Sequence, residues 1–430
     1  MPRDSQITTF QDGQNILFDE TFMRTVPKAV PVPNFPAVAL SKVSYQGNSI
    51  LGISGNRAIY VPNFQENKQI LTPEFVEIKD TILWGTWTVV LGKQAGDDRF
   101  KIHVFKPNSA GSTFEVNETQ IPLSNITSDP AIFSIFGNFL ILCNGNQVMW
   151  SDAGNVERWQ APTRNIIVSR ELHGSIEAIE ELRGQSYIYT QERIFALTFV
   201  GGTLQFALTP ALNAGGAQGS ESIISVGNKH YGYSSDGFFV STGFEYQLLD
   251  DVRIRGEFTD TPTAAVHREA TNEVIWYFGS KAAVYNYKFG TWSIMQYASP
   301  VNGAVRIDKP YIFIGTTMQS EGRDGSDWNA TTSGIDCGRR DRFKSLQAVE
   351  VICDGNAEIK IEVSIDGAGT NYDTIYDSTN PENLSLDSGS NFIYTPKRDA
   401  MHIKVTFSGT QDFRLESLNF WGFLSGVYKR

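Results

Sequence analysis

The sequence predicts an all-β protein: a six-bladed β-propeller, with seven blades as the alternative count, followed by a C-terminal β-sandwich. Three observations lead there. Runs of four to eight β-branched or aromatic residues alternate with turns of Gly, Asn or Asp along most of the 430 residues, the pattern of short strands joined by tight turns. One large apolar residue per hairpin recurs every 45 residues, at Tyr60, Phe105, Trp150, Phe195, Val240 and Tyr285. A period of that length with about four strands per unit marks a propeller, because a four-stranded sheet buries both faces only when neighbours pack against it around a ring. Beyond position 337 the strands lengthen and alternate, which suits a sandwich.

Residues 1–36 read as an extended N-terminal arm. Pro27, Pro31, Pro33 and Pro36 fall within ten positions. Proline cannot donate to a ladder, so the arm is expected outside the sheets, laid over another surface as a clasp on a neighbouring subunit. Residues 37–320 form the propeller, with hairpins at 49–61, 138–151, 186–199, 230–242 and 274–287. Six units fill this span. The strand group 303–314 either completes the ring with N-terminal strands or makes a short extra blade. The best helix candidate is Ser175 to Arg183, although the same stretch also fits an alternating strand. Residues 321–336 are polar and glycine-containing, as in a linker. Residues 337–430 make the sandwich, with turns at Asp354-Gly355, Asp366-Gly367 and Gly409. A pair of sandwiches is the competing architecture, but it would not require a constant interval.

Thirty-six basic and forty-seven acidic residues give a net charge of −11. That balance argues against high-affinity reading of DNA sequence. Cys143, Cys337 and Cys353 match neither a zinc site nor a disulfide framework and read as buried small residues of a reducing compartment. The first residues lack the apolar core of a signal peptide, and apolar stretches break before 18 positions, so no membrane anchor is expected.

Chemistry-bearing patterns are sparse. His103, His173, His230, His267 and His402 occur singly, without metal-ligand spacing. No GxSxG frames a serine, and the stretch from Gly215 to Ser220 lacks the lysine of a phosphate loop, so it reads as a loop between strands or a tip touching a partner. The doublets Asp97-Asp98, Glu180-Glu181 and Asp250-Asp251 are poor catalytic dyads, because neighbours on a strand point to opposite faces. No catalytic site, metal or cofactor is expected. Trp84, Trp87, Trp150 and Trp276 serve either as packing between blades or, in a carbohydrate- or receptor-binding propeller, as stacking surfaces for sugars. Ser364 to Tyr372 (SIDGAGTNY) resembles the aspartate box of sialidase-type propellers, which implies a folding turn. The candidate interface or DNA-backbone contacts are the basic cluster Arg339, Arg340, Arg342 and Lys344, and the aromatic end Trp421, Phe423 and Tyr428.

Two stretches carry a further resemblance. In 234–254 the residues are Ser235, Asp236, Gly237, Phe238, Gly243 and Leu249, and in 272–294 they are Val284, Tyr285, Asn286, Gly290, Trp292 and Ser293. Both stretches resemble the tail hub proteins of short-tailed bacteriophages, called the nozzle or tail tubular protein B in one branch and the packaged-DNA stabilisation protein in another. As architecture the resemblance spans residues 37–430. It implies a virion protein assembled in the host cytoplasm. Six copies would form a ring on the tail axis, joined to the portal, adaptor and distal tail proteins. Double-stranded DNA would pass through it without sequence-specific contact, and an acidic lining would keep the duplex from adhering.

Overall fold

The computed structural model describes residues 10–14, 16–18, 23–25, 27–62, 68–71, 74–107, 114–119, 131–159, 165–168, 172, 174–202, 205–213, 215–249, 252–325, 328–332, 343–365 and 371–425. The chain divides into two compact units. One comprises Pro31–Ala282 and Tyr297–Ser320, the other Met1–Val30, Ala283–Gln296 and Glu321–Arg430.

Among the described residues the propeller has seven four-stranded sheets. In six of them the strand order follows the chain, each strand pairing with the next. Their first, innermost strands are Ser41–Gln46, Phe75–Trp84, Ala131–Phe136, Ile176–Leu182, Ile223–Val226 and Ala264–Arg268. The six periodic anchors all fall on third strands: Arg57–Val61, Lys101–Pro107, Gln147–Trp150, Ile194–Gly201, Gly237–Ser241 and Lys281–Asn286. The seventh sheet takes Val301–Arg306, Pro310–Ile314 and Thr317–Gly325, and its fourth strand is Pro27–Pro31.

Two expectations are therefore corrected. The blade count is seven rather than six, because the last blade borrows its outer strand from the N-terminus, where no chain period can count it. The proline-containing arm is not outside the sheets. It occupies the edge of a blade, where a strand is paired on one side and tolerates prolines at its ends. Just beyond it, Val32 N–H donates to Met318 O at 2.8 Å and Val38 N–H to Thr316 O at 2.8 Å.

Ring closure is visible in the packing within this unit. Leu51, Leu71 and Phe75 join Leu83, Val90 and Phe105 between the first two blades. Val89 and Val104 meet Leu140 and Met149 between the second and third, and Ile141 and Trp150 meet Ile188 and Phe195 between the third and fourth. Tyr187 and Tyr189 pack with Ile223 and Phe239 between the fourth and fifth. Phe238 and Trp276 rings lie 4.9 Å apart between the fifth and sixth. Thr263 Oγ1, ahead of the sixth blade, donates to Val301 O of the seventh at 2.9 Å. Phe313 and Met318 of the seventh return to Leu40, Ile50 and Ile59 of the first. Each sheet thus buries both faces against its neighbours, where most of its stability resides.

The helix candidate at 175–183 is the strand Ile176–Leu182, paired with Gln185–Thr190. Arg183 and Gly184 both take positive φ (55° and 73°), as a two-residue hairpin turn requires, and the hairpin outcompetes a short helix. The stretch 215–219 lies between strands, as expected of a loop, and is packed against the blade. Ala217 is buried, and a Cβ on Gly216 would stand 2.0 Å from Gln191 O, so glycine there permits a close backbone approach.

The second unit contains the sandwich, two five-stranded sheets. One runs Phe10–Gln14, Trp328–Thr332, His402–Gly409, Glu358–Ser364, Asp373–Asp377. The other runs Ile16–Phe18, Met23–Thr25, Phe413–Ser425, Phe343–Gly355, Gly389–Ala400. Val349, Val351, Ile361, Val405 and Phe407 fill the space between them, with Met23 from the N-terminus. Residues 328–332 of the expected linker are a sheet strand, because the polar stretch pairs on both sides, with Phe10–Gln14 and His402–Gly409. The turn at Asp366-Gly367 lies outside the described residues.

Candidate functional site: an aromatic sheet face and an acidic axis

Three long strands of the sandwich, Gly389–Ala400, Phe343–Gly355 and Phe413–Ser425, lie side by side with the middle one central. Their register sets opposite residues in rows across the sheet. Tyr394, Ala348 and Trp421 form one row, Phe392, Glu350 and Asn419 the next, and Ser390, Ile352 and Ser417 a third. The alternate rows, such as Ile393, Val349 and Phe420, contribute to the core, so the first set faces outward. There Tyr394 is 79% exposed, Trp421 53% and Phe392 51%. The Phe392 and Trp421 rings approach to 6.4 Å, and Ala348 beside them is buried. Within the face, Glu350 accepts from Ser390 Oγ at 3.0 Å and from Asn419 Nδ2 at 3.1 Å. A bulge at Gln347 interrupts the pairing on both sides of the central strand. At that point Gly422 lets the backbones close, since a Cβ there would meet Ser345 O at 2.3 Å.

Of the residues picked from sequence, Trp421 is on this face. Phe423 and Lys344 lie on its strands, opposite Ser345 and Leu424, with side chains outside the described ones. Arg339, Arg340, Arg342 and Tyr428 lie outside the described residues. Phe392 and Tyr394 were missed. Their signal was the run Phe392-Ile393-Tyr394, apolar at both strand parities, which one core face does not need.

The second cluster is at the propeller axis, where the innermost strands meet around the ring. A bulge in the first of these strands holds Lys42 at φ 46°, and its Nζ donates to Lys79 O at 2.7 Å. Asp80 accepts from Thr81 N–H at 2.8 Å and from Phe133 N–H of the next blade at 2.7 Å. Glu180 accepts from Ser225 Oγ at 3.1 Å, and Glu221 from Ser220 Oγ at 3.3 Å. All three carboxylates are half-buried. Burial raises all three carboxyls. Glu180 and Glu221 are pushed up to about 7, and Lys42 partly offsets the effect at Asp80 and Glu221. Glu181, next to Glu180, is exposed instead, so the doublet splits between faces.

The propeller tryptophans expected as either packing or sugar platforms are packing. Trp150 and Trp276 are buried, donating to Gln205 Oε1 at 2.5 Å and Ser222 O at 3.0 Å. Trp84 and Trp87 are half-buried against the core between the second and third blades. Among the described residues, no group of three or more His, Cys, Asp or Glu could hold a metal ion.

No family model matches the chain, and no curated protein matches it. Among solved structures it is similar to PorZ, a surface component of the type-IX secretion system of Porphyromonas gingivalis, with 11% identity and a TM-score of 0.45 over 83% of this chain and 48% of that one. It is also similar to the extracellular domain of the putative one-component system BT4673 from B. thetaiotaomicron, with 10% identity and a TM-score of 0.48 over 76% and 43%. A chain of the mitotic checkpoint complex gives 8% identity and a TM-score of 0.45 over 70% and 96%. The chain spans less than half the length of the first two proteins.

Proposed function

We propose that the protein is a structural component of a short-tailed phage tail: an axial hub, six copies in a ring, that retains packaged DNA and forms the channel for its ejection. The observation that carries the reading is where the resembling text falls. Residues 234–254 span the third and fourth strands of the fifth blade, Gly237–Ser241 and Tyr246–Leu248, and residues 272–294 span the returning strands of the sixth. A propeller and a sandwich in one chain agree with the order of parts expected of that family, and the charge of −11 suits a wall along which DNA must slide. In this role the protein contacts portal, adaptor and distal tail proteins, resides in the virion, and has no catalytic duty.

Imaging of particles that contain this chain tests the proposal. Density on the tail axis, as a ring between the portal and the distal tail, is the expected result. Density off the axis, or an axial ring with a strongly basic inner wall, refutes it. A second reading, a carbohydrate- or receptor-binding virion protein, is favoured by the exposed rings Phe392, Tyr394 and Trp421, but on the sandwich rather than on the propeller.

A further inference from the structure

We infer that the outer face of the sandwich sheet built on Ala348 and Glu350 is a binding site for a neutral oligosaccharide. Two features of the face specify that occupant. First, Phe392, Tyr394 and Trp421 present ring surface to solvent from the two strands flanking the central one. A pyranose offers an apolar face of C–H groups that packs on such rings, and an aromatic side chain keeps its shape when it binds because few torsions are frozen.

Second, the rings share the face with hydrogen-bonding groups rather than with further apolar ones. Glu350 stands in the row of Phe392, beside the row of Tyr394 and Trp421, and each of its carboxylate oxygens already accepts one bond, from Ser390 or from Asn419. A carboxylate has about four acceptor positions, so two remain for ligand hydroxyls, and its orientation is set before the ligand arrives. Neighbouring hydroxyls on a sugar are the donors that match. The negative charge of Glu350 disfavours uronic or sialic acids, which makes the ligand a neutral sugar.

Shallow stacking with a few directed bonds fits a chain of sugars, and a second copy of the chain seated on the same rings is the outcome that the sedimentation arm of the test detects. This inference rests on the second of the two readings above and not on the tail-hub one.

The test uses the full chain on an array of neutral oligosaccharides, and in affinity electrophoresis against dextran, laminarin, xylan and mannan. Binding to at least one neutral glycan is expected, weakened at least about tenfold by Trp421→Ala and by Tyr394→Ala. Trp421→Phe, which keeps a ring, should retain most of it. Glu350→Gln should weaken binding while leaving the melting temperature near that of the parent. Leu384→Ser changes an 81% exposed apolar residue outside the three-strand face and should have no effect, which separates recognition from general stickiness. Three results would overturn the proposal: a folded parent protein that binds none of the glycans, binding that survives the Trp421→Ala/Tyr394→Ala double change, or sedimentation showing that Trp421→Ala dissociates an oligomer, which would assign the face to self-association.

Discussion

The hydroxyl of Tyr189 and Nδ1 of His230 lie 2.7 Å apart, linking the second strands of the fourth and fifth blades. His230 Nε2 stands 3.2 Å from Glu181 O. With Nε2–H donating to that carbonyl, Nδ1 accepts from Tyr189, and the ring is satisfied in its neutral form. Burial holds its pKa down at about 4. Tyr189→Phe leaves Nδ1 buried without its donor and should cost about 1–3 kcal/mol, measured by chemical denaturation. An unchanged midpoint would mean that the bond contributes no net stability.

The axis and His230 pull stability in opposite directions with pH. Glu180 and Glu221 are raised from 4.5 to about 7, so their contribution is complete below pH 4.5 and is lost as pH rises toward 7. Allowing for their residual exposure, each amounts to about 1–2 kcal/mol. His230 is lowered from 6.5 to about 4, so its contribution is complete above pH 6.5 and is lost as pH falls toward 4. Melting temperatures of the parent between pH 4.5 and 7 should therefore vary little. Glu180→Gln or Glu221→Gln should make stability rise more steeply with pH across that window. Parallel profiles for parent and variants would contradict the assignment.

Deleting residues 1–25 should destabilise the protein. Leu17 and Met23 are fully or almost fully buried, and the strands Phe10–Gln14, Ile16–Phe18 and Met23–Thr25 all belong to sandwich sheets. Limited proteolysis of the truncated chain should cut between 337 and 430 much faster than in the parent. A truncated protein with parental resistance there would restore the view of this segment as a free clasp.

Gly216→Ala is expected to cost at least about 2 kcal/mol, because the new methyl collides with the backbone at Gln191 and the loop is pinned there by Ala217 N–H to Thr190 O at 2.9 Å and Gln218 N–H to Tyr233 O at 3.0 Å. Gly154→Ala makes a useful comparison: open space surrounds that position, and the penalty there is confined to its positive φ of 70°. Thermal melts of the two variants should rank Gly216→Ala as clearly the more damaging.

What the sequence determined by itself was the local content of the fold. Alternation and turn residues identified the strands, and the 45-residue period placed third strands in six successive blades, because each blade packs a large side chain at an equivalent position. The same local logic identified Trp421 as more aromatic surface than a small core needs. The tertiary structure decided whatever depends on residues far apart in the chain. It set the blade number, because Pro27–Pro31 pairs nearly 290 positions away with Thr317–Gly325, and it absorbed the proline-containing arm by offering it an edge. It brought Lys42, Asp80, Glu180 and Glu221 to one axis from four parts of the chain, each unremarked or set aside when read locally. It also turned Phe392 and Tyr394 outward beside Trp421, since the register between strands, and not the composition of any one of them, decides which rings share a face.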